Sequence, residues 1–313
     1  MAQLGYIQII RKCNQQCLFC SSPTNDLILD CKKIIREIDN YKKENCSGII
    51  LTGGEPTLHP DILKLISYCD KNDLEVRLIT NGQLTADYSF LEKLQKKGLS
   101  LMHVSLHSVS FKIQNFLSQN NNSFKNIIQK LINAKKLEVP VNINTVINSR
   151  NAKNLDKNAQ FLLKNFSEIK HYIFNNLDPE NNRVIENKFL VPKLNNFKDS
   201  LARALRLLIK FKKTFRVEMV PLCYMLNFAE FSTETRKIVK DEKRILKFLD
   251  ERQKPFLVQN KNHFHYDYGK VCKKCSLRDI CAGVHGLGVY YSEKELQPQS
   301  INPNIIINKI LNG

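Results

Sequence analysis

The chain has 313 residues, 42% hydrophobic and 25% charged, with 10 cysteines and a formal net charge of +18. That length buries a sizeable core as one large domain or two ordinary ones, and the composition excludes disordered and collagen-like classes. No run approaches the roughly 18 apolar residues of a membrane span, and Met1–Gln8 has neither a charged n-region nor an apolar h-region, so a cytoplasmic protein is expected.

The first 175 residues alternate between short apolar runs and longer amphipathic ones. Strands are expected at Tyr6–Ile10, Gly48–Thr52, Glu75–Thr80, Leu101–Leu106, Val141–Ile147 and Glu168–Phe174. Helices are expected at Cys31–Lys43, Asp61–Lys71, Ser89–Lys97, Phe124–Lys136 and Leu155–Asn165. Strands separated by helices of this length indicate βαβ crossovers and a parallel sheet, so the fold class is α/β with six units forming an open or partial barrel. Beyond Asn175 the rhythm changes. A long helix is expected over Phe197–Thr214, an extended run at Val217–Cys223, and a helix over Phe228–Leu249 with a break near Ser232. A cysteine cluster, a glycine-rich turn and the tail Pro303–Leu311 follow.

Ten cysteines in a chain of this size point to metal rather than to a disulfide scaffold. Cys13-Asn-Gln-Gln-Cys17-Leu-Phe-Cys20 follows the first strand with C-x3-C-x2-C spacing. Three thiolates this close can wrap one face of an iron–sulfur cube and leave its fourth iron open to a small molecule. Zinc, or three structural thiols, are the alternatives; zinc would want a fourth ligand, and no histidine precedes His59. The second strand ends in Thr52-Gly53-Gly54-Glu55-Pro56. Glycines there let the backbone approach a ligand closely, and Glu55 offers a carboxylate to an ammonium. Alone, that tetrapeptide is an ordinary turn; at the end of the strand beside the cysteine loop it forms a paired signal.

With both motifs in register, the sequence resembles the radical S-adenosylmethionine (radical SAM) superfamily. The resemblance extends through Phe19 before the last cysteine, Ile79-Thr80-Asn81-Gly82, Val104-Ser105-Leu106 and Val141–Ile147. It implies a partial (β/α)6 TIM-like barrel with a [4Fe–4S] cluster on Cys13, Cys17 and Cys20. SAM would chelate the open iron, and Gly53, Gly54 and Glu55 would hold its amine. Phe19, Asn81, Ser105, Asn144 and Val146 are the further cofactor-binding candidates. The chemistry implied is reductive cleavage of SAM to a 5′-deoxyadenosyl radical that removes a substrate hydrogen.

Leu101–His107 alternates, with His103, Ser105 and His107 on one face and Met102, Val104 and Leu106 on the other. In a helix-wrapped barrel the polar face looks inward, as it would for Asn142 and Asn144, and for Glu75 and Arg77. Arg77, His103, His107 and Asn142 are therefore the candidate substrate-facing residues; hydrogen bonding within a packed barrel is the alternative.

Cys272-Lys-Lys-Cys275-Ser-Leu-Arg-Asp-Ile-Cys281 has C-x2-C-x5-C spacing, and Cys223 precedes it in Val220-Pro-Leu-Cys223. Four cysteines make a complete set for zinc or for a cube. The segment resembles the core of the SPASM or twitch extensions of radical SAM enzymes, which hold auxiliary clusters. The longer pattern would place a cysteine at position 285, where this chain has His285. One auxiliary [4Fe–4S] cluster on Cys223, Cys272, Cys275 and Cys281 is expected, for a total of two. Cys31, Cys46 and Cys69 lack motif spacing and are expected in the core.

The expected organisation is a radical SAM barrel with its C-terminal helix over 1–212 and a twitch-like auxiliary domain with tail over 213–313. The expected activity is radical modification of a ribosomal peptide, with a nucleotide, aminoglycoside or other small polar metabolite as the alternative substrate. Only twelve residues precede Cys13, which argues against a peptide-recognition module there. A flavodoxin or ferredoxin would donate electrons. The +18 charge fits an acidic partner: no basic run exceeds two residues and Lys outnumbers Arg about three to one, which argues against nucleic acid. Outside enzymes the alternative is a nucleic-acid-binding module with zinc at both cysteine sets, and the Gly53–Pro56 motif after the second strand argues against it.

Overall fold

Every strand of the barrel is apolar on one side. Ile7 and Ile9, Ile49 and Leu51, Val76 and Leu78, Met102 and Val104, Tyr172 and Phe174, and Phe215 and Val217 all lie in one continuous core with the inward faces of the helices. Burying these rows is what drives the sheet and its helical layer together. The computed structural model describes residues 4–21, 25–179, 183–241, 244–246, 256–258 and 266–313.

In chain order the elements are β1 (Leu4–Ile10), α1 (Cys31–Lys43), β2 (Gly48–Gly53), α2 (Ile62–Asp70), β3 (Glu75–Thr80), α3 (Tyr88–Lys96), β4 (Leu99–Ser105), α4 (Phe111–Ser118), α5 (Ser123–Lys136), β5 (Val141–Ile147), α6 (Leu155–Asn165), β6 (His171–Asn176), α7 (Arg183–Glu186), α8 (Leu194–Lys210) and β7 (Thr214–Glu218). The seven strands form one parallel sheet in the order β1-β2-β3-β4-β5-β6-β7. Sequential order, parallel pairing and helical crossovers make the partial TIM-like barrel expected from the sequence. Asp30 caps α1 and Asp87 caps α3 through side-chain bonds to backbone N–H groups, so both helices start where a short acid stands before the amphipathic run.

Three details differ from expectation. The sheet has a seventh strand, β7, so it continues past residue 212. Its alternation, Phe215 and Val217 toward the helices with Arg216 and Glu218 on the lumen side, is only five residues long and abuts α8. Helix α4 falls in a stretch for which no element was expected; its outward Phe111 and Phe116 are exposed, which blurs the amphipathic pattern. The helix expected over Phe228–Leu249 is confined to α9 (Thr233–Lys240), with Ser232 as its N-cap. Asp241 ends it in the left-handed conformation (φ 49°), and Arg244–Leu246 is a strand, β8, antiparallel to β9 (Phe256–Val258). Residues 242–243 and 247–249 of that expected helix, and His263 and His265, lie outside the described residues.

The C-terminal region packs around a smaller apolar cluster in which Leu222, Ala229, Leu277 and Ile280 meet Ile306 and Ile310 of α10 (Asn304–Asn312). The glycine-rich turn is held by Asp267, whose carboxylate accepts from Gly286 N and Leu287 N at 3.1 Å each. No helix among the described residues is long and apolar enough to cross a membrane.

Candidate active site and auxiliary centre

The loop after β1 carries Cys13, Cys17 and Cys20, all half-buried. Its backbone is tied to the end of α4, with Gln16 N and Leu18 N donating to Ser118 O and Leu117 O at 3.2 and 2.9 Å. Arg183 ties it from the other side, donating from its backbone N to Cys20 O and from Nη1 to Cys17 O, both at 3.4 Å. Phe19 is buried against Leu117, Leu177, Val184 and Leu190, and its ring meets His107 edge-on at 4.7 Å. An aromatic before the last cysteine is thus the loop's anchor in the core. Burial lifts the Cys13 thiol to about 11 and pushes Cys17 up as well, and the neighbouring cysteines of the loop add to both shifts. Thiols held protonated in this way are poor free nucleophiles; a cationic centre would displace their protons.

The two glycines after β2 answer to the chain's own backbone. Gly53 has φ +141°, and a β-carbon there would lie 1.9 Å from Ile10 O. One on Gly54 would lie 2.4 Å from Arg11 O and Lys12 O. Gly54 N and Glu55 N donate to Ile10 O and Lys12 O at 2.6 and 2.9 Å. Glycine lets the end of β2 run flush against the start of the cysteine loop. Glu55 is fully buried, and its carboxylate accepts four hydrogen bonds: Thr57 N at 3.1 Å, Thr57 Oγ1 at 2.6 Å, Thr80 Oγ1 at 2.7 Å and Asn81 N at 2.7 Å. Asn81 in turn donates from Nδ2 to Cys13 Sγ at 3.6 Å and to Asn14 Oδ1 at 2.8 Å. The ends of β1, β2 and β3 are therefore one hydrogen-bonded unit.

Ser105, Asn144 and Val146 are half-buried at the same end of β4 and β5. Asn144 Oδ1 accepts from Asn175 Nδ2 on β6, and Val146 N donates to His107 Nδ1 at 3.1 Å. His107 is buried, with its imidazole committed to this bond and to Phe19. Deeper along the strands His103 is buried with no partner for Nε2, and burial, with Arg216 and Arg77 next, pushes it down to about 3. Arg77 pairs with Glu75 at 2.6 Å, and Arg216 with Glu218 at 2.9 Å. Asn142 is buried beside His103 and His171 in register. Asn175, Arg216 and Glu218 belong to the polar face and were missed from the sequence; for the last two the alternation within Thr214–Glu218 was the available signal.

Cys223, Cys272, Cys275 and Cys281 line one cavity that encloses about 410 Å³ of empty space, part of it open to solvent. Cys223 stands on the short turn after β7, and the other three come from the loops before α10. Backbone N–H groups already point at the sulfurs: Leu222 N and Gly283 N to Cys281 Sγ at 3.4 and 3.3 Å, and Gln299 N to Cys275 Sγ at 3.4 Å. Burial lifts Cys223 to about 11 and Cys281 to about 12. Donors aimed at sulfur are the arrangement that stabilises cluster thiolates. His285 is off this cavity and pairs with Asp178 at 3.2 Å. Among the described residues no three His, Cys, Asp or Glu side chains converge on a single-ion position. Cys31, Cys46 and Cys69 are buried in the main core.

Residues 7–162, about half of the chain, match the sequence model of the Radical SAM superfamily, and the chain belongs to that superfamily of enzymes. It is 27% identical over 169 residues to the AdoMet-dependent heme synthase of Methanosarcina barkeri, covering 52% of this chain and 47% of the relative. It is 28% identical over 144 residues to a probable GTP 3′,8-cyclase of Pyrococcus horikoshii, covering 45% and 46%. The matches span about half the length of these curated relatives. Among solved structures, anSMEcpe with bound AdoMet superposes with a TM-score of 0.65 at 17% identity, over 99% of this chain and 96% of that one. SuiB of Streptococcus suis bound to S-adenosylmethionine superposes with a TM-score of 0.63 at 16% identity, over 91% and 73%. At such identity the likeness establishes the fold.

Proposed function

We propose that this chain cleaves SAM reductively and removes a hydrogen atom from a peptide substrate, with a second [4Fe–4S] centre taking part in electron transfer. The observation that carries the two-centre reading is the single cavity shared by Cys223, Cys272, Cys275 and Cys281, added to the thiol loop at the end of β1. The residues fit the groups. Cys13, Cys17 and Cys20 would hold the first cluster, and Gly53, Gly54, Asn81, Ser105, Asn144 and Val146 surround the place for SAM. Glu55 serves that place from behind, by fixing Thr80 and Asn81. When bound, the cluster and SAM together supply a carbon-centred radical. The chain's own part is to hold and orient: Phe19 fixes the cysteine loop, Asn81 offers an amide to Cys13, and Arg77, His103, Asn142 and Arg216 give the lumen its polar lining.

The second centre would be held by all four cysteines, which leaves no open iron and favours electron transfer over substrate chelation. An electron donor of the flavodoxin or ferredoxin type and a reducing, cytoplasmic compartment complete this reading. Peptide is favoured because structures of the same fold over most of this chain include SuiB with its precursor peptide SuiA and anSMEcpe with the Cp18Cys peptide. A nucleotide is the second reading, favoured by the match to probable GTP 3′,8-cyclases.

The test is anaerobic reconstitution followed by reduction with SAM. Wild type should yield 5′-deoxyadenosine and hold about eight irons per chain, two cubes' worth. Cys17→Ala should abolish cleavage. Cys275→Ala should keep cleavage and lose product formed from added peptide. Stoichiometric zinc without SAM cleavage would sink the proposal, and turnover of nucleoside triphosphate but not peptide would move it to the second reading.

A further inference from the structure

Lys130 on α5 is fully buried, and its Nζ has no hydrogen-bond partner. Lysine is almost never enclosed unless its charge is answered. Its ammonium sits against Gly82, so close that a β-carbon there would lie 2.5 Å from Nζ. Gly82 (φ +80°) is the residue that follows Thr80 and Asn81, and its N–H donates to Thr80 Oγ1 at 3.0 Å. Thr80 and Asn81 are two of the three residues that hold the Glu55 carboxylate. The lysine thus ends directly behind the turn that grips the buried acid.

The hydrogen bonding of Glu55 favours its charged form. Two of its four donors are backbone N–H groups, Thr57 N and Asn81 N, which cannot turn away. Thr80 Oγ1 already accepts from Gly82 N, so its own proton goes to Glu55. These donors stabilise the ionised carboxylate, three of them on Oε1 and one on Oε2, while burial works the other way and raises the carboxyl above its ordinary range. An anion with no access to water needs a cation nearby. Among the described residues, Glu55 is the charged group that acts on Lys130.

We propose that Lys130 is a positioning residue for the SAM-binding end of the barrel: it is the counter-charge that keeps Glu55 an anion. As an anion Glu55 can hold Thr80 and Asn81, and through Asn81 present an amide to Cys13. Burial pulls the Lys130 ammonium down to about 7, and Glu55 is the group that opposes that pull. The role in SAM binding rests on the function proposed above; the charge pairing itself does not.

A double-mutant cycle on the apo-protein, read by thermal unfolding, tests the pair. Lys130→Met keeps the length and apolar stem of the side chain, so a packing role predicts no loss. The pair predicts that Lys130→Met and Glu55→Gln each lower the midpoint by roughly 5 °C or more, while the double variant falls by far less than the sum. If a single variant does not fold, recovery of folding in the double variant supports the pair. Additive losses, a Lys130→Met protein as stable as wild type, or a double variant that also fails to fold overturn it. For the positioning role, equilibrium dialysis of reconstituted protein should show SAM bound about tenfold more weakly by Lys130→Met, at unchanged iron content. Unchanged SAM affinity overturns that role. A wild-type protein that binds no SAM would instead overturn the proposed function, and the apo-protein cycle would still decide the pair.

Discussion

Gly53 separates two reasons for a glycine. Its φ of +141° strains any L side chain, and the nearest obstacle to a β-carbon is the Ile10 carbonyl of the neighbouring strand, which cannot swing aside. Gly53→Ala should therefore cost about 3 kcal/mol or more, by thermal unfolding of the apo-protein. Gly288, with φ +84° and nothing within 4 Å of its would-be β-carbon, is the control: Gly288→Ala should cost about 1–2 kcal/mol, the backbone strain alone. The sequence marked Gly53 and Gly54 through their place at the end of a strand, where a ligand was expected to approach. The structure adds a second close approach, to residues 10–12, a contact between two strand ends that no local pattern encodes. Glu55 was likewise legible as a functional acid, while its four internal donors were not. Cys17 and Cys31 offer a contrast of the same kind. Cys17→Ala should lower iron by about four per chain after reconstitution, and Cys31→Ala, in the core at the start of α1, should leave it unchanged.

At the scale of elements, β1 to β6 and helices α1, α5 and α6 were legible because each carries a full period of buried residues. Two features were not. β7 is short, with charges on its lumen face, and α4 turns two phenylalanines outward. The junction after β7 also holds a buried acid. Glu234, in the first turn of α9, accepts from Met219 N at 3.2 Å. Burial, with the Glu218 carboxylate next, lifts it to about 7. The folded chain keeps a proton that the unfolded chain releases near the ordinary value of 4.5. Its contribution to stability is full below that value and is lost as pH rises through about 7. Glu234→Gln should flatten this fall, so that the variant gains on wild type in melting temperature between pH 5 and pH 8 (approximate bounds of that window). A variant whose pH profile runs parallel to wild type would contradict the assignment.

Across the whole molecule, the sequence divided the cysteines into three, four and three, and the fold places them in that division: the loop after β1, the cavity beyond β7, and the core. Cys223 could not be assigned from spacing, since its neighbours in the cavity come from Lys270–Cys281; only the path of the chain after β7 brings them together. The +18 charge was legible as a number and carries no fold information. It does bear on the substrate. If the peptide is acidic, KM should rise several-fold between about 50 and 300 mM salt with kcat little changed, as the attraction is screened. A salt-independent KM would remove charge from the recognition.

The sheet begins at β1 and ends at β7 without the two edges pairing. A closed barrel has its radius fixed by strand number and stagger, because every strand is clamped on both sides. Here no hydrogen-bonded ring sets the width. β1 runs into the first cysteine loop and β7 runs, within five residues, into Cys223. The two cysteine sets thus stand at the two lips of the opening, so whatever stiffens the second set would also set the gauge of the lumen. If that set holds the proposed cluster, Cys275→Ala should slacken the grip on substrate as well as remove an electron acceptor, and the two effects would separate as a change in KM and a change in product per SAM cleaved.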